Sequence, residues 1–282
     1  MGLVNLNEIL KPAQENHYAV GAFNVYNIED ITAVLKAAEE INSPVVLMTS
    51  NSALEHTSVE DLAAIIRRRA KKAKVPVCLH LDHANDFDTM VKAIDAGYTS
   101  IMFDGSSLSY DKNVKKTKEI VKVAHVLDVT VEAEIGRVGK SEEGDKDFET
   151  ILSVPSEVEK FVDETDIDAC AIAIGTQHGM QTQAAEIDFQ RLSEIRKLVE
   201  VPLVLHGSSG VKDEELKIMG DKGIQKVNIG TRLKRVFTDT LRENLNSNKN
   251  LHNHIKALSP CIDKVSEEVK YKMKMLGCNG KA

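Results

Sequence analysis

Short apolar runs alternate along the chain with longer stretches in which apolar residues recur every three or four positions. Runs of four to eight residues bounded by Gly, Pro or polar clusters read as strands, and the longer pattern reads as amphipathic helix. The strand candidates are residues 18–24, 44–49, 75–82, 100–104, 129–135, 169–175, 202–206 and 226–230. Helical patterns lie between them at residues 28–40, 59–73, 89–96, 113–127, 155–164, 189–198 and 213–220. Strict strand–helix alternation predicts an α/β fold with a parallel sheet. Eight units predict closure into a (β/α)8 TIM barrel, with an open doubly wound sheet as the alternative. Residues 6–14 and 263–276 predict extra terminal helices, the first a cap on the bottom of the barrel. No linker or low-complexity stretch intervenes, so residues 1–282 read as a single domain. The longest irregular segment, 136–153, has the length of a functional loop.

Composition narrows the picture. Trp is absent and aromatics make up 4% of the chain, so the core must be aliphatic. Strands buried on both faces require such a core. The net charge of -7 argues against a nucleic-acid partner, which needs a basic surface. Anionic small molecules stay open, because a local pocket can oppose the global charge. The four cysteines form no C-x-x-C pair and read as reduced packing residues of a cytoplasmic protein. The first ten residues are too polar for a signal peptide, and no apolar run approaches the ~18 residues that span a bilayer.

The chemistry is concentrated at one place. Active sites of such barrels lie at the C-terminal ends of the strands. Here those ends carry Asn24, Ser50, Asp82 with His83, Asp104, Glu134, His178, His206 and Asn228. Any one histidine could be an ordinary polar residue at a strand end. Three on one rim beside carboxylates, His83, His178 and His206, suit a catalytic Zn²⁺ with one open position. By alternation His80 shares a strand face with Asp82 and reads as a core or supporting residue. Asp82 can bind the metal, do acid/base work or merely orient a histidine, and the residues alone leave this open. Glu132 and Glu134 share one strand face and must meet cations or hydrogen-bond into the rim. Two glycine-bearing turns follow strands seven and eight: His206-Gly-Ser-Ser-Gly210 and Asn228-Ile-Gly-Thr231. Both lead into helix N-termini, at the usual phosphate position of a barrel.

Taken together, these pieces resemble the class II, metal-dependent fructose- and tagatose-bisphosphate aldolases. The matching segments are Gly21-Ala-Phe-Asn24, His80-Leu-Asp-His-Ala84, Asp104-Gly-Ser106, Val131-Glu-Ala-Glu-Ile-Gly136, Ala173-Ile-Gly-Thr-Gln-His-Gly179, Leu205-His-Gly-Ser-Ser-Gly210 and Lys226-Val-Asn-Ile-Gly-Thr231. They span nearly the whole chain in family order. The Cys278-Asn-Gly-Lys-Ala282 ending is similar to the tagatose-type branch.

The resemblance implies reversible cleavage of fructose or tagatose 1,6-bisphosphate to dihydroxyacetone phosphate and glyceraldehyde 3-phosphate through a zinc-stabilised enediolate. It implies that His83, His178 and His206 hold zinc, and that Asp104 and Glu134 serve a second or displaced divalent ion. Asp82 becomes the acid/base at the aldehyde oxygen, and Glu142 the carboxylate that handles the carbon proton. Asn24, Ser50, Gly179, Gly207, Ser208, Ser209, Asn228, Ile229, Gly230 and Thr231 become substrate-binding. A monovalent cation (Na⁺ or K⁺) and a homodimer or homotetramer follow from the resemblance alone.

Three residues depart from the family pattern. Arg232 stands where an acidic residue is common, Lys140 where glycine is common, and Gly230 is smaller than usual. All are expected near the substrate's distal end or in the loop. The alternatives are an aldolase for a related phosphorylated deoxy-ketose, a Schiff-base aldolase, another metal-dependent barrel enzyme, and a non-catalytic sugar-phosphate-binding subunit of a larger assembly.

Overall fold

The computed structural model describes residues 2–140 and 149–282. The eight apolar runs form β1 (Val20–Asn24), β2 (Val45–Thr49), β3 (Val77–Ala84), β4 (Ser100–Phe103), β5 (Thr130–Ile135), β6 (Ala169–Ile172), β7 (Leu203–Leu205) and β8 (Ile224–Ile229). Each pairs in parallel with the next, and β8 returns to β1 with Val227 opposite Gly21 and Asn228 opposite Ala22. The ring is therefore closed, which removes the open-sheet alternative. Both β1 and β8 are buried throughout, so neither could serve as an exposed edge.

The helices are α1 (Leu6–Glu15), α2 (Ile28–Glu40), α3 (Asn51–His56), α4 (Val59–Ala70), α5 (Phe87–Ala96), α6 (Tyr110–Val126), α7 (Pro155–Thr165), α8 (Phe189–Leu198), α9 (Asp213–Lys217), α10 (Thr231–Ser247) and α11 (His254–Met275). Their starts follow local chemistry. Side chains of Asn27, Ser58, Asp86 and Asp188 each accept from the backbone N–H three residues on. The Asp86 cap explains why α5 begins before its apolar stripe. α11 begins nine residues earlier than the pattern predicts and runs through Pro260. Packing against α2 and α10 there outweighs the hydrogen bond that proline cannot make.

α1 caps the barrel's bottom as expected. It buries Leu6, Ile9, Leu10 and Ala13, worth roughly 1.5–3 kcal/mol for each large side chain. The Leu6 N–H donates to Thr130 Oγ1 at 3.2 Å, and the Asn7 amide donates to Asp168 at 2.6 Å. Both partners sit at strand starts, so the opposite end of the barrel is left open.

Within the 136–153 segment, the described residues on either side make strand-type contacts. Gly139–Lys140 pairs in parallel with Gln177–His178, and Arg137 bridges Ile151. Glu142 lies outside the described residues.

Candidate functional site at the strand C-termini

β3 holds the first ligand candidate by breaking its own alternation. A regular strand would point Asp82 and His83 to opposite faces. His83 instead takes a left-handed backbone, φ +51°, and the β3–β4 register shifts between Leu81 and Ala84. Both side chains consequently reach the same cleft, which also exposes Asn24, Ser50, Asp104, Glu134, His178 and the turns after β7 and β8. Such a conformation costs a non-glycine residue about 1–3 kcal/mol and is retained where the surroundings over-determine it.

The three histidines meet. One nitrogen from each of His83, His178 and His206 lies within 4.8 Å of the others. Ring centroids are 5.0 Å apart for His83–His178, 4.6 Å for His83–His206 and 5.8 Å for His178–His206. His206 places Nδ1 2.8 Å from His83 Nε2 and turns Nε2 onto Glu132 at 2.8 Å. A carboxylate on Nε2 fixes the tautomer that leaves the Nδ1 lone pair facing the cluster. Burial holds His178 and His206 well below the ordinary imidazole range, so both offer neutral donors. For His83 burial acts downward too, but Asp82, Asp104 and Glu134 outweigh it and raise the ring to about 10. The locus thus attracts a cation even when only a proton is available.

A second donor set overlaps the first: His83, Asp104 and Glu134 also lie within 4.8 Å of one another. Asp104 accepts from His83 Nδ1 at 2.8 Å and from the Ser106 hydroxyl at 2.7 Å. Burial opposes its ionisation, but His83 and Ser106 hold it well below the usual carboxylate range. Glu134 accepts the Val138 N–H through Oε1, while its buried Oε2 has no hydrogen-bond partner. Burial and the Asp104 charge push it up to about 8. A buried orphan oxygen beside two further ligand atoms fits a divalent ion of the hard–borderline kind.

Asp82 is the carboxylate outside both sets. Asn24 Nδ2 donates to its Oδ2 at 2.8 Å, and Asn228 Nδ2 to its Oδ1 at 3.2 Å. Burial works against ionisation, yet His83, His206 and Lys226 together hold it below its usual value. An ionised, doubly supported carboxylate beside a metal locus is equipped to accept a proton.

The two turns form one wall of the cleft. Gly207 has φ +65°, and a Cβ there would stand 2.6 Å from the Gln177 backbone, so only glycine lets this turn close on the strand carrying His178. α10 starts at Thr231 without a side-chain cap, leaving its N-terminal dipole directed at the cleft. Lys234, one turn in, also lines the cleft and stacks over Tyr26 at 5.3 Å.

Tyr26, Arg137 and Lys234 were not named from the sequence, and Lys226 and Ser106 entered there without a site role. Lys226 could have been found by period-two spacing, which places it on the same face as Asn228. It is fully buried, 2.9 Å from Glu132, and an ion-paired ammonium has no lone pair with which to form a Schiff base. His80 bonds Ser100 at 2.8 Å in the barrel interior, a supporting residue as expected. Arg232 sits beside the rim. It does not itself line the main cleft but pairs with Glu268 of α11 at 3.0 Å, in an adjoining cavity of about 530 Å³ that shares Ser208, Ser209 and Thr231 with that cleft. Its long side chain finds a carboxylate on the neighbouring helix. The Lys140 side chain lies outside what the structure describes.

Fold and rim together define a (β/α)8 barrel whose C-terminal rim gathers histidines and carboxylates able to hold a metal ion, beside the glycine-bearing turns after β7 and β8. A family model described as fructose-bisphosphate aldolase class-II matches residues 4–281. The chain belongs to that family. Among solved structures it is similar to the YdjI aldolase from Escherichia coli K12, with 32% identity, TM-score 0.87 and 99% of each chain covered. It is similar as well to a putative fructose-1,6-biphosphate aldolase from Coccidioides immitis, with 29% identity, TM-score 0.88, and 98% of this chain and 97% of that chain covered. A fructose-bisphosphate aldolase from Campylobacter jejuni shares the fold at 22% identity, with TM-score 0.85 and coverage of 100% and 97%.

Proposed function

We infer that the chain cleaves a ketose 1,6-bisphosphate, fructose or tagatose, to dihydroxyacetone phosphate and glyceraldehyde 3-phosphate, with zinc as its ion. The observation that carries this reading is the meeting of His83, His178 and His206 beside Asp82, opposite the turns after β7 and β8. His83, His178 and His206 would hold the ion. When bound it supplies a Lewis acid for the substrate's C2 carbonyl oxygen.

The chain's own groups do the rest. Gly179, Gly207–Ser209 and Asn228–Thr231 receive the phosphate of the dihydroxyacetone half. Asn24 and Ser50 line the cleft as further substrate contacts. Asp82 takes the C4 hydroxyl proton as C3–C4 breaks and returns it in condensation. Glu142 exchanges the carbon proton. Asp104 and Glu134 offer a displaced or second ion site. A monovalent cation and a homodimeric or homotetrameric assembly belong to the same reading, on the family resemblance.

A coupled assay for dihydroxyacetone phosphate, run with each ketose bisphosphate with and without chelator, tests it. The expected result is turnover of at least one, lost on chelation, restored by zinc and insensitive to borohydride trapping. Turnover that survives complete metal removal, or trapping of a lysine adduct, overturns it.

A further inference from the structure

Beneath the rim lies a buried polar chain that the proposed mechanism does not use. Glu132, Lys226 and His80 are all fully buried inside the barrel. Lys226 Nζ is 2.9 Å from Glu132 Oε2 and donates to Asn228 Oδ1 at 2.8 Å. Glu132 Oε1 receives His206. Asn228 Nδ2 in turn reaches Asp82 Oδ1.

A carboxamide has an oxygen end and a nitrogen end of nearly the same shape, so only its partners decide which way it lies. An ammonium can only donate. Lys226 therefore holds the oxygen of Asn228 downward and turns its nitrogen up toward Asp82. An ionised carboxylate can only accept. With the amide reversed, an oxygen would face Asp82 at the same distance and drive the carboxylate out of place. Glu132 matters because it anchors Lys226 and, through its other oxygen, His206.

We propose that Lys226 is a positioning residue: it orients the Asn228 amide so that its nitrogen fixes Asp82 where the hydroxyl proton must be taken. This rests on the reading of Asp82 as the acid/base group. Lys226 touches no substrate; the positioning runs through Asn228, and its charge near Asp82, removed alike in both variants below, is a separate effect.

The test compares two zinc-loaded double variants, Lys226→Met with Glu132→Gln, and Lys226→Gln with Glu132→Gln. Both remove the buried charges together, so neither leaves an ion unpaired in the core. They differ in one respect: in place of Lys226, a glutamine side chain keeps a donor and a methionine side chain does not. Two reactions are read alongside zinc content. One is carbon–carbon cleavage. The other is exchange of the carbon-bound proton of dihydroxyacetone phosphate with deuterated water, which on that reading does not need Asp82. A misplaced catalytic group costs roughly 100-fold, and the Lys226→Met protein is expected to lose about that much in cleavage kcat relative to the Lys226→Gln protein. Exchange and zinc content are expected to stay alike in the two. Equal cleavage in both, or cleavage and exchange falling together, overturns the assignment. Asp82→Asn, measured in parallel, isolates the underlying reading. If it loses exchange as severely as cleavage, the acid/base reading fails. If it loses cleavage alone while the two double variants match each other, only the Lys226 assignment fails.

Discussion

His206 Nδ1 faces His83 Nε2 at 2.8 Å across 123 residues of sequence. Two imidazoles from opposite parts of the barrel share one point in space because β3 breaks its register at His83 and Glu132 turns the far side of His206 away. Losing either ring should therefore dismantle the locus. His206→Ala is expected to purify with less than a tenth of the parent's zinc, since removing even a residue that only supports a metal ligand costs roughly 10–100-fold in metal affinity. Elemental analysis after dialysis checks this, and full occupancy with normal turnover would sink the ligand assignment.

Asp82 is held by two amides and belongs to neither metal-ligand set. Asp82→Asn is expected to retain zinc yet lose roughly 10²–10⁴-fold in cleavage, the usual contribution of a positioned acid/base group. Zinc analysis and steady-state kinetics on the same preparation separate the two effects. Loss of zinc along with activity would place Asp82 among the ligands instead.

Gly230 accounts for one departure from the family pattern. A Cβ at this position would stand 2.6 Å from Asn24 Oδ1, on the amide that also donates to Asp82. Gly230→Ala is expected to displace Asn24 and lower kcat by roughly tenfold or more. A crystal structure of the variant should show Asn24 moved off Asp82. Unchanged kinetics would mean that the amide has room to yield.

Arg232 gives the opposite expectation. Because its half-exposed guanidinium is taken up by Glu268 and does not itself line the main cleft, although its cavity adjoins it at Ser208, Ser209 and Thr231, Arg232→Ala should leave kcat/KM for each ketose within about twofold. Its effect on stability should stay below about 1 kcal/mol. A switch in sugar preference would contradict this placement.

Asp30 offers a pH-dependent test outside the metal-ligand candidates. Burial lifts its carboxyl to about 6, against the pull of the Tyr26 N–H it accepts. The folded state thus holds the proton more tightly than the unfolded chain. Stability from this group is intact below pH ~4, falls as pH rises to about 6 and stays reduced above. Asp30→Asn removes that loss, so it is expected to be more stable than the parent at pH 7. The gain is on the order of 2–3 kcal/mol at most, since each pKa unit is worth about 1.4 kcal/mol. The two proteins should converge near pH 4. Denaturant melts at both pH values check the sign.

Apolar periodicity in the sequence determined the eight strands, the helices between them and the polar residue ending each strand. These are local features, written in residues a few positions apart. Helix limits were less legible, because caps such as Asp86 and the packing of α11 across Pro260 outweigh the apolar stripe. The three histidines and Asp82 were nameable because each lies at or just beyond the C-terminal end of a strand visible in the apolar pattern. Only the tertiary structure decided that adjacent Asp82 and His83 share a cleft, since strict alternation separates them and the left-handed turn at His83 reunites them. It also decided that Glu132 and Lys226, 94 residues apart in the sequence, lie 2.9 Å from each other. Closure of the barrel brings β5 and β8 across one interior. No spacing along the chain encodes which inward-facing charge will meet which, because that depends on how the ring closes.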